Sequence, residues 1–441
     1  MANAVTNQKS VLVDLTKCVG CGSCTVACKL WNNQSFQNPQ TNEFENAHGV
    51  GVQLDSNTWT TVEHKKVNKD GQEVWRFVKR QCMHCLEPAC SSVCFAHAFH
   101  QTAEGAVQYD PSVCVGCRYC MIACPFDIPK YEWEKVLPSV MKCQFCSSKL
   151  AEGEAPACAS VCPTDALMFG NRDELLAKAH EIIASDSRYL NHVYGEKEVG
   201  GTSWLYISDV DFGELGFPTN LPEKSIPQNV HGFTRFTIPI FAVGAAAWTG
   251  VSLYARRRHA GAHGHHADHE GKEEEREVFK MKEWVFKSPT GRWNLRLTPI
   301  RLGMLAFVAF SLVMILARYY AGLGYWTNLS DLMPWVAWIG ADRTVIALAG
   351  AGFSTAIITH IFHAEKFDPV SRRCLLLSFI GYILVLLILI VEIGRWDNFW
   401  TPFVSPGIHS PMFEVYMCIV AYLILQVIEI IEVGAEKVAP K

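Results

Sequence analysis

The distribution of apolar residues divides the chain near residue 235. Before that point apolar positions are interspersed with polar ones, whereas after it long apolar runs are separated by short charged loops. A helix needs about 20 consecutive apolar residues to cross a bilayer, and five stretches approach or exceed that length: 237–255, 300–320, 335–361, 374–393 and 412–432. We therefore expect an all-α membrane region of five transmembrane helices in the carboxy-terminal half.

The amino-terminal half has the short alternating patterns of an α+β domain. Strand-like runs such as VLVDLTKC (11–18) and AVQYDPSVC (106–114) end at cysteines, and a helix-like stretch follows Cys24. This order of strand, loop and helix occurs twice, as it would in a duplicated domain, and therefore predicts an internal repeat.

Sixteen of the eighteen cysteines form four close groups within the first 162 residues. In the C-x2-C-x2-C-x3-C run of the first and third groups, three thiolates from one loop can hold three corners of a 4Fe-4S cube, while the fourth cysteine usually ligates a partner cluster. We therefore predict four 4Fe-4S clusters, held by Cys18, Cys21, Cys24 and Cys28; Cys82, Cys85, Cys90 and Cys94; Cys114, Cys117, Cys120 and Cys124; and Cys143, Cys146, Cys158 and Cys162.

Other classes of protein fit this sequence less well. Disulfide-rich scaffolds are typically small secreted domains, and zinc sites do not use four tandem cysteines at gaps of two, two and three residues. The net charge of −4 is too small to indicate a nucleic-acid partner. Cys374 and Cys418 lie in predicted membrane helices without cysteine neighbours, so we expect them to be small buried apolar side chains.

The predicted fold class is therefore α+β, a doubled bacterial-ferredoxin-like domain followed by transmembrane helices. The expected divisions are the four-cluster domain at 1–235, an anchor helix at 236–256, a charged linker at 257–299 and a four-helix membrane domain at 300–441. The linker contains the histidine-rich run HAGAHGHHADHE (259–270). Such runs can bind metal, but we interpret this one as a solvated linker.

The lysine and arginine content of the loops predicts an orientation. Basic residues concentrate between the first and second and between the third and fourth predicted helices, whereas 321–334 has none and 394–411 has only Arg395. The cluster domain should then face the periplasm of an inner-membrane protein. The amino terminus MANAVTNQKSVLVDLT has no signal-peptide apolar stretch and no twin arginine. We expect export in the folded state with a partner that carries the signal.

Parity makes a second topological prediction that does not depend on orientation. An even number of crossings returns the chain to its starting face, so 321–334 and 394–411 should lie on the side of the cluster domain. Intramembrane charge is costly and is usually paired or functional, and an acid beside a redox ligand can exchange protons with it. We predict a redox-ligand site from Asp342, Arg343, Glu392, Arg395, His409 and Glu414. For Asp342 and Arg343, a paired helix-packing role remains the alternative.

His360 and His363 lie at the opposite end of the third predicted helix. They could carry protons, ligate a haem or cap the helix. Haem b normally needs two facing histidines at membrane depth, and His409 lies on the other face, so no haem is expected. Nearer the cysteines, Lys17, Arg118, Lys142 and the amides of Gly20, Gly22 and Gly116 could tune cluster potentials or simply shape the loops.

The cysteine motifs resemble a known family. The segments are QCMHCLEPAC (81–90), DPSVCVGCRYCMIACPFDIPKYEW (110–133), KCQFC (142–146), CPTDAL (162–167) and YGEKEVGGTSWLYIS (194–208). They are similar to the four-cluster electron-transfer subunits of membrane formate dehydrogenases and periplasmic uptake hydrogenases. The likeness extends over residues 9–255. It implies that Cys18, Cys21 and Cys24 share a cube with Cys162; Cys143, Cys146 and Cys158 with Cys28; Cys82, Cys85 and Cys90 with Cys124; and Cys114, Cys117 and Cys120 with Cys94.

From residue 295 onward a second resemblance applies. THIFHAEKFDPVSRR (359–373), EIGRWDNFW (392–400) and HSPMFEVY (409–416) look like the first four helices of NrfD-like quinone-reacting membrane proteins. That likeness implies a site for menaquinone or ubiquinone on the cluster face, without haem. Two departures stand out: Glu392 replaces the family's usual aspartate, and the chain has half the usual helices. We expect a second membrane subunit or another membrane partner to complete the site.

Together these features predict an electron-transfer and membrane-anchor subunit of a respiratory oxidoreductase. A separate catalytic subunit with a molybdenum or tungsten pterin or a nickel-iron centre would exchange electrons with a membrane quinone through four 4Fe-4S clusters. The chain itself offers no catalytic site. Three alternatives remain open: quinol oxidation for a terminal reductase, a redox-linked proton path involving Asp342 and His360, and an inert scaffold with structural metal centres.

Overall fold

The computed structural model describes residues 8–36, 53–69, 71–229, 299–327, 329–335, 344–347, 349–350 and 368–438, with single positions at 243, 247, 250 and 340. In the cysteine domain the elements are β1 (Lys9–Asp14), α1 (Ser23–Trp31), β2 (Thr61–Lys69), β3 (Gln72–Arg80), α2 (Ala89–Ser92), β4 (Phe99–Gln101), β5 (Val107–Tyr109), α3 (Tyr119–Ala123), β6 (Lys130–Tyr131), β7 (Val140–Met141), α4 (Ser147–Ala151), α5 (Ala157–Ser160), β8 (Leu167–Asn171), α6 (Arg172–Ser185), a 3-10 turn (Glu198–Gly200) and β9 (Trp204–Ile207).

A three-stranded sheet forms the centre of the cysteine domain. β1 lies between β8, to which it is antiparallel, and β9, to which it is parallel. Because successive strand residues point to opposite faces, Leu12 packs under α6 against Leu175. Val11 and Val13 point to the other face, into the core that also contains cysteines. The sheet therefore provides a rigid base for the cysteine loops.

Several elements agree with the sequence patterns, and one does not. β1 overlaps the first strand-like run, β5 lies within the second, and α1 begins at Ser23, beside Cys24. The sequence has two stretched gaps in its cysteine groups, four residues before Cys90 and eleven before Cys158, and both are predicted to be loops. The longer gap differs from this prediction. It contains α4, because the SSKLA segment buries Leu150 in the core and so gains a packed face. In the gap before Cys90, α2 begins only at Ala89.

Among the described residues, three helices are long and apolar enough to span a bilayer by length and composition. These spans are Leu302–Ala321, Cys374–Glu392 and Pro411–Ile428, and they lie in helices Pro299–Ala321, Asp368–Glu392 and Pro411–Val438. They correspond to the predicted stretches 300–320, 374–393 and 412–432. The predicted helices at 237–255 and 335–361 fall mostly outside the described residues, as do His360, His363 and the histidine-rich run.

Close packing joins the membrane helices. The Ser378 hydroxyl donates to the carbonyl of Ala349 at 2.7 Å and accepts from the Gln426 amide at 2.6 Å. Such hydrogen bonds and small contact residues are typical of helix association in lipid. Cys374 is partly buried, but Cys418 is exposed on the outer surface of this chain. The expectation of a buried side chain is therefore wrong for Cys418.

Short elements lie between the membrane helices, on the side of the cysteine domain. The first connection contains the helix Leu323–Thr327, and the last contains a 3-10 turn (Trp396–Asn398) and the helix Thr401–Val404. Both connections make hydrogen bonds to the cysteine domain, as the parity argument requires.

Candidate functional site

The cysteines surround separate cavities, and each cavity is lined by cysteines from two sequence groups. Three cavities have volumes of about 410, 330 and 370 Å³. We name them site A, site B and site C. Their cysteines are Cys18, Cys21, Cys24 and Cys162 in site A; Cys28, Cys143, Cys146 and Cys158 in site B; and Cys82, Cys85, Cys90 and Cys124 in site C.

The remaining four cysteines form site D: Cys94, Cys114, Cys117 and Cys120. Burial, followed by the neighbouring charge of Cys114, raises the pKa of Cys94 to about 11. Burial and then the charge of Cys94 raise the pKa of Cys117 to about 12. These mutual effects show that Cys94 lies beside the third cysteine group. All four groupings agree with the cluster sharing that the family resemblance implied.

The thiols are suited to binding a cationic iron-sulfur core. Burial raises the pKa of Cys24 to about 11 and that of Cys28 to about 12. At neutral pH such thiols ionise only when a bound cation compensates the charge. Backbone amides already point at sulfur: Ala98 N–H donates to Cys94 Sγ at 3.2 Å and Gly116 N–H to Cys114 Sγ at 3.3 Å. Amide donors of this kind stabilise the charge on a cluster.

The basic residues proposed to tune the clusters have different roles. Lys17 is half exposed and pairs with Asp14 at 3.6 Å. Lys142 is buried, lines site C, and donates to the carbonyl of Cys143 at 3.0 Å. Arg118, although next to Cys117, turns toward the membrane region and donates to the carbonyl of Pro334 at 2.9 Å.

Lys79, which the sequence pattern did not single out, lines both site A and site B. Burial alone would lower its pKa, but the neighbouring charges of Cys158, Cys24 and other groups raise the pKa above its ordinary value. Lys79 was missed because it lies on β3, outside the cysteine motifs, and only the fold brings it to the clusters.

The membrane connections bind directly to the loops of site D. Asn398 Nδ2 donates to the carbonyl of Cys114 at 2.9 Å, and Trp335 Nε1 donates to the carbonyl of Cys117 at 2.9 Å. The hydroxyl of Ser410 donates to the carbonyl of Val93, next to Cys94, at 2.6 Å. Site D is therefore the cysteine group in contact with the membrane connections.

A mostly apolar pocket of about 420 Å³ lies beside this contact, and we name it the membrane pocket. Its polar side chains are Glu392, Arg318 and Thr327; Glu392 and Arg318 are buried in the protein. Arg318 Nη2 donates to the carbonyl of Ile393 at 2.6 Å, whereas its Nε is buried without a hydrogen-bond partner. The apolar lining residues are Met314, Ile315, Leu323, Leu329 and Val391.

One side chain connects the membrane pocket with site D. Arg118 Nη2 lies 3.6 Å from Glu392 Oε1, and Arg118 Nη1 donates to the backbone carbonyl of Glu392 at 3.1 Å. Arg118 follows the site D cysteine Cys117 directly in sequence. The wall of the pocket and a cysteine of site D are thus linked through a single residue.

The predicted redox-ligand residues do not all meet. Of those that the structure describes, Glu392 lines the membrane pocket, whereas Arg395 pairs with Asp397 at 2.8 Å and donates to the carbonyl of Pro111. His409 is exposed, and Glu414 is half-buried in the first turn of the last helix. Neither belongs to the pocket lining. Asp342 and Arg343 lie outside the described residues.

Arg318 is the pocket residue that the sequence analysis missed. Its signal was an arginine near the cluster-side end of the apolar stretch 300–320, which has another arginine, Arg301, at its opposite end. The rule for intramembrane charge could have identified it. The predicted site residues came from the last cluster-side connection and from the predicted helices 335–361, 374–393 and 412–432. The cation in the last turn of the helix Pro299–Ala321 was therefore overlooked.

Comparison with known proteins agrees with these cysteine sites. Two family models, each described as a 4Fe-4S dicluster domain, match residues 17–98 and 73–172. The formate dehydrogenase-O iron-sulfur subunit of Escherichia coli K12 is 34% identical over 279 residues, which cover 60% of this chain and 89% of that protein. The hydrogenase-2 operon protein HybA of E. coli O157:H7 is 35% identical over 249 residues, 47% of this chain and 72% of HybA.

A protein of Nitratidesulfovibrio vulgaris Hildenborough is 39% identical over 250 residues, 56% of this chain and 67% of its own length. The chain is an iron-sulfur protein of the 4Fe-4S dicluster type, with helices suited to a membrane. More narrowly, it belongs to the family of iron-sulfur electron-transfer subunits of formate dehydrogenases and hydrogenases.

Proposed function

We propose that this chain transfers electrons between a separate catalytic subunit and a quinone bound in the membrane pocket. When bound, four 4Fe-4S clusters would supply one-electron carriers at sites A to D. The observation that carries the proposal is the contact between Glu392, in the pocket wall, and Arg118, beside the site D cysteine Cys117.

The end remote from the membrane connections is suited to docking a catalytic subunit. Cys21 of site A is exposed. Val19 and Val161, each beside a site A cysteine, are 57% and 43% exposed. Apolar side chains around a redox centre would be covered by a partner that approaches closely enough for electron transfer. The partner class is a molybdenum- or tungsten-pterin or nickel-iron subunit, in keeping with the formate dehydrogenase and hydrogenase relatives.

The membrane pocket has the chemistry that a quinone needs. Like small-molecule sites in general, it combines apolar walls with a few polar groups. A quinone takes up two electrons and two protons to become a quinol. Arg318 can donate a hydrogen bond to one carbonyl oxygen, and Glu392 can deliver a proton. Both electrons come from the substrate of the catalytic subunit; one proton is delivered by Glu392, which is reprotonated from water, and the second proton is taken up from water.

The orientation that we propose for the protein in the membrane is based on the distribution of lysine and arginine among its loops. The cluster domain lies on the periplasmic side of the inner membrane, and the basic connections lie in the cytoplasm. A second membrane subunit supplies the remaining helices beside the quinone. The exposed apolar faces of the helix Pro299–Ala321, including Phe307 and Leu316, are available to lipid or to that subunit.

The test is to replace Glu392 and to measure quinone reduction separately from electron transfer by the clusters. In the intact complex, Glu392→Gln should lower quinone reduction by at least about 100-fold, the scale of a lost proton donor. Reduction of a water-soluble dye that accepts electrons from the clusters should remain unchanged. Glu392→Asp should retain much of the quinone activity because it keeps the carboxylate.

Glu414→Gln is the matched control, since Glu414 is an acid near the same membrane face but outside the pocket lining. It should leave both activities near the wild-type level. Normal quinone reduction by Glu392→Gln, with full iron content, would show that the pocket is not the quinone site.

A further inference from the structure

Lys79 occupies an unusual position between two cluster sites. Its side chain lines both site A and site B, and only 2% of the residue is exposed. The Nζ atom donates to Thr60 Oγ1 at 2.5 Å and to Gln81 Oε1 at 3.0 Å. It also lies 4.7 Å from the centre of the Trp204 ring. Neutral partners immediately before β2, immediately after β3 and in β9 thus fix the ammonium group in place.

The charge of Lys79 has no acidic partner among the described residues: its Nζ donates only to Thr60 and Gln81, and the neighbouring charges are those of cysteines and Tyr206. A buried charge is costly unless an opposite charge compensates it. The groups on either side of Lys79 are cysteines of site A and site B, including Cys24 and Cys158. Thiolate-bound 4Fe-4S clusters are anionic, so they are the compensating charge that this position requires.

We propose that Lys79 is a cation shared by sites A and B and that its positive charge raises the reduction potentials of both clusters together. Reduction adds a negative charge to a cluster, and a fixed positive charge nearby stabilises the reduced form. Since one ammonium lines both cavities, its removal lowers two potentials and not one. The inference rests on the cluster sites and is independent of the membrane pocket.

Lys142 provides a matched comparison in the other half of the domain. It is also 2% exposed and lines site C, and its Nζ donates to backbone carbonyls, including that of Cys143. It contributes to neither the site A nor the site B cavity lining. Two buried lysines of similar exposure therefore line the cavities of different cluster sites.

The experiment is an anaerobic redox titration of the full-length chain carrying its clusters, followed by electron paramagnetic resonance. Lys79→Met keeps the length of the side chain and removes its charge. Two of the four cluster signals should move to lower potential, by about tenfold in the reduced-to-oxidised ratio, or about 59 mV for a one-electron couple. Lys79→Arg, which keeps the charge, should titrate close to the wild type. Lys142→Met should shift a different set of signals.

The outcomes are distinct. Unchanged potentials in Lys79→Met with full iron and sulfide content would overturn the proposal, as would a shift of the same signals by Lys79→Met and Lys142→Met. If Lys79→Met loses clusters, its iron content shows how many of the four remain. Loss of two clusters with the other two retained supports a shared charge, whereas loss of one cluster or of all four contradicts it.

Discussion

At the scale of single residues, the surroundings of Glu392 connect the two halves of the protein. Arg118 comes from a cysteine loop and contacts the carboxylate, and Arg318 comes from a membrane helix and lines the same pocket. Breaking a buried ion pair leaves an uncompensated charge, which is strongly destabilising. A partial loss of stability is therefore expected from any neutral substitution of Glu392, and iron content must be measured beside activity.

Arg318→Met tests the cationic side of the membrane pocket. The orphaned Nε and the neighbouring guanidinium donors would no longer orient a bound carbonyl, so quinone reduction should fall about 10- to 100-fold, mainly through a higher KM. Steady-state kinetics with a short-chain quinone measures this. Arg318→Lys should recover part of the loss, and an unchanged KM in Arg318→Met would argue against a role for this arginine in quinone binding.

Gly407→Ala tests the contact between the membrane connection and site D. A Cβ atom at Gly407 would overlap the carbonyl oxygen of Cys94 and press on Phe95, so the connection must move away. We expect a perturbed paramagnetic signal from one cluster and slower quinone reduction. Gly303→Ala is the control, because a Cβ there meets nothing within 4 Å. Equal behaviour of the two variants would mean that the close approach has no functional consequence.

Some of these functional residues could be identified from the sequence alone, and others could not. Cysteine spacing was enough to identify the four groups because each loop carries its ligands locally. Glu392 was found because an acid at the end of an apolar run is conspicuous. Lys79 could not be ranked from spacing, since its role depends on contacts between segments far apart in the chain. Arg318 was overlooked although it is a charged residue within an apolar stretch.

At the scale of elements, the hairpin β2–β3 holds Lys79 between sites A and B. Its attachment to the domain includes Asp209, which accepts from Lys69 Nζ at 2.6 Å and from Arg76 Nε at 2.8 Å. Burial would raise the pKa of Asp209, but the hydrogen bonds and charges from Arg76 and Lys69 outweigh it and lower the pKa to about 2. The stabilisation is therefore fully present above pH 4 and is lost as the pH falls toward 2.

Asp209→Asn should loosen this hairpin at neutral pH by about 2 kcal/mol, the scale of hydrogen bonds to a charged group. Hydrogen exchange of residues 61–80 measures the effect. Glu73→Gln is the control on the same hairpin, because the Glu73 pair with Lys66 is largely exposed and should contribute little. Equal protection of the hairpin in both variants would contradict the anchoring role of Asp209.

The elements themselves were partly predictable. Alternating apolar residues identified β1 and β5, and long apolar runs identified the three membrane helices that the structure describes. The helix α4 was missed because a five-residue segment has too little periodicity, and its packing through Leu150 is a tertiary effect. The pairing of β1 with β8 and β9 joins residues more than 150 positions apart, which local patterns do not specify.

At the scale of the whole molecule, the four cysteine sites lie between an exposed end and a membrane end. Cys21 of site A is exposed, whereas the loops of site D are covered by Asn398, Trp335 and Ser410 from the membrane connections. Parity of the crossings predicted this side of the membrane from sequence alone. The local contacts could not be predicted, because they involve glycine and carbonyl positions without a sequence signature.

Removing iron should destabilise the entire cysteine domain. The buried thiols would remain protonated, and Lys79 would lose its compensating charge, so the loops would no longer be held together. We expect chelation under reducing conditions to lower the thermal midpoint of the domain and to expose residues 18–162 to protease. Retention of the native midpoint after complete loss of iron would show that the clusters are not structural.

Anaerobic photolabelling of the intact complex with a photoreactive quinone, followed by peptide mapping, tests directly whether quinone binds in the membrane pocket. We expect labelling within 314–329 or at 391–392, with loss of the label when excess unmodified quinone competes. Competable labelling confined to other segments, with none in the lining of the membrane pocket, would contradict this expectation.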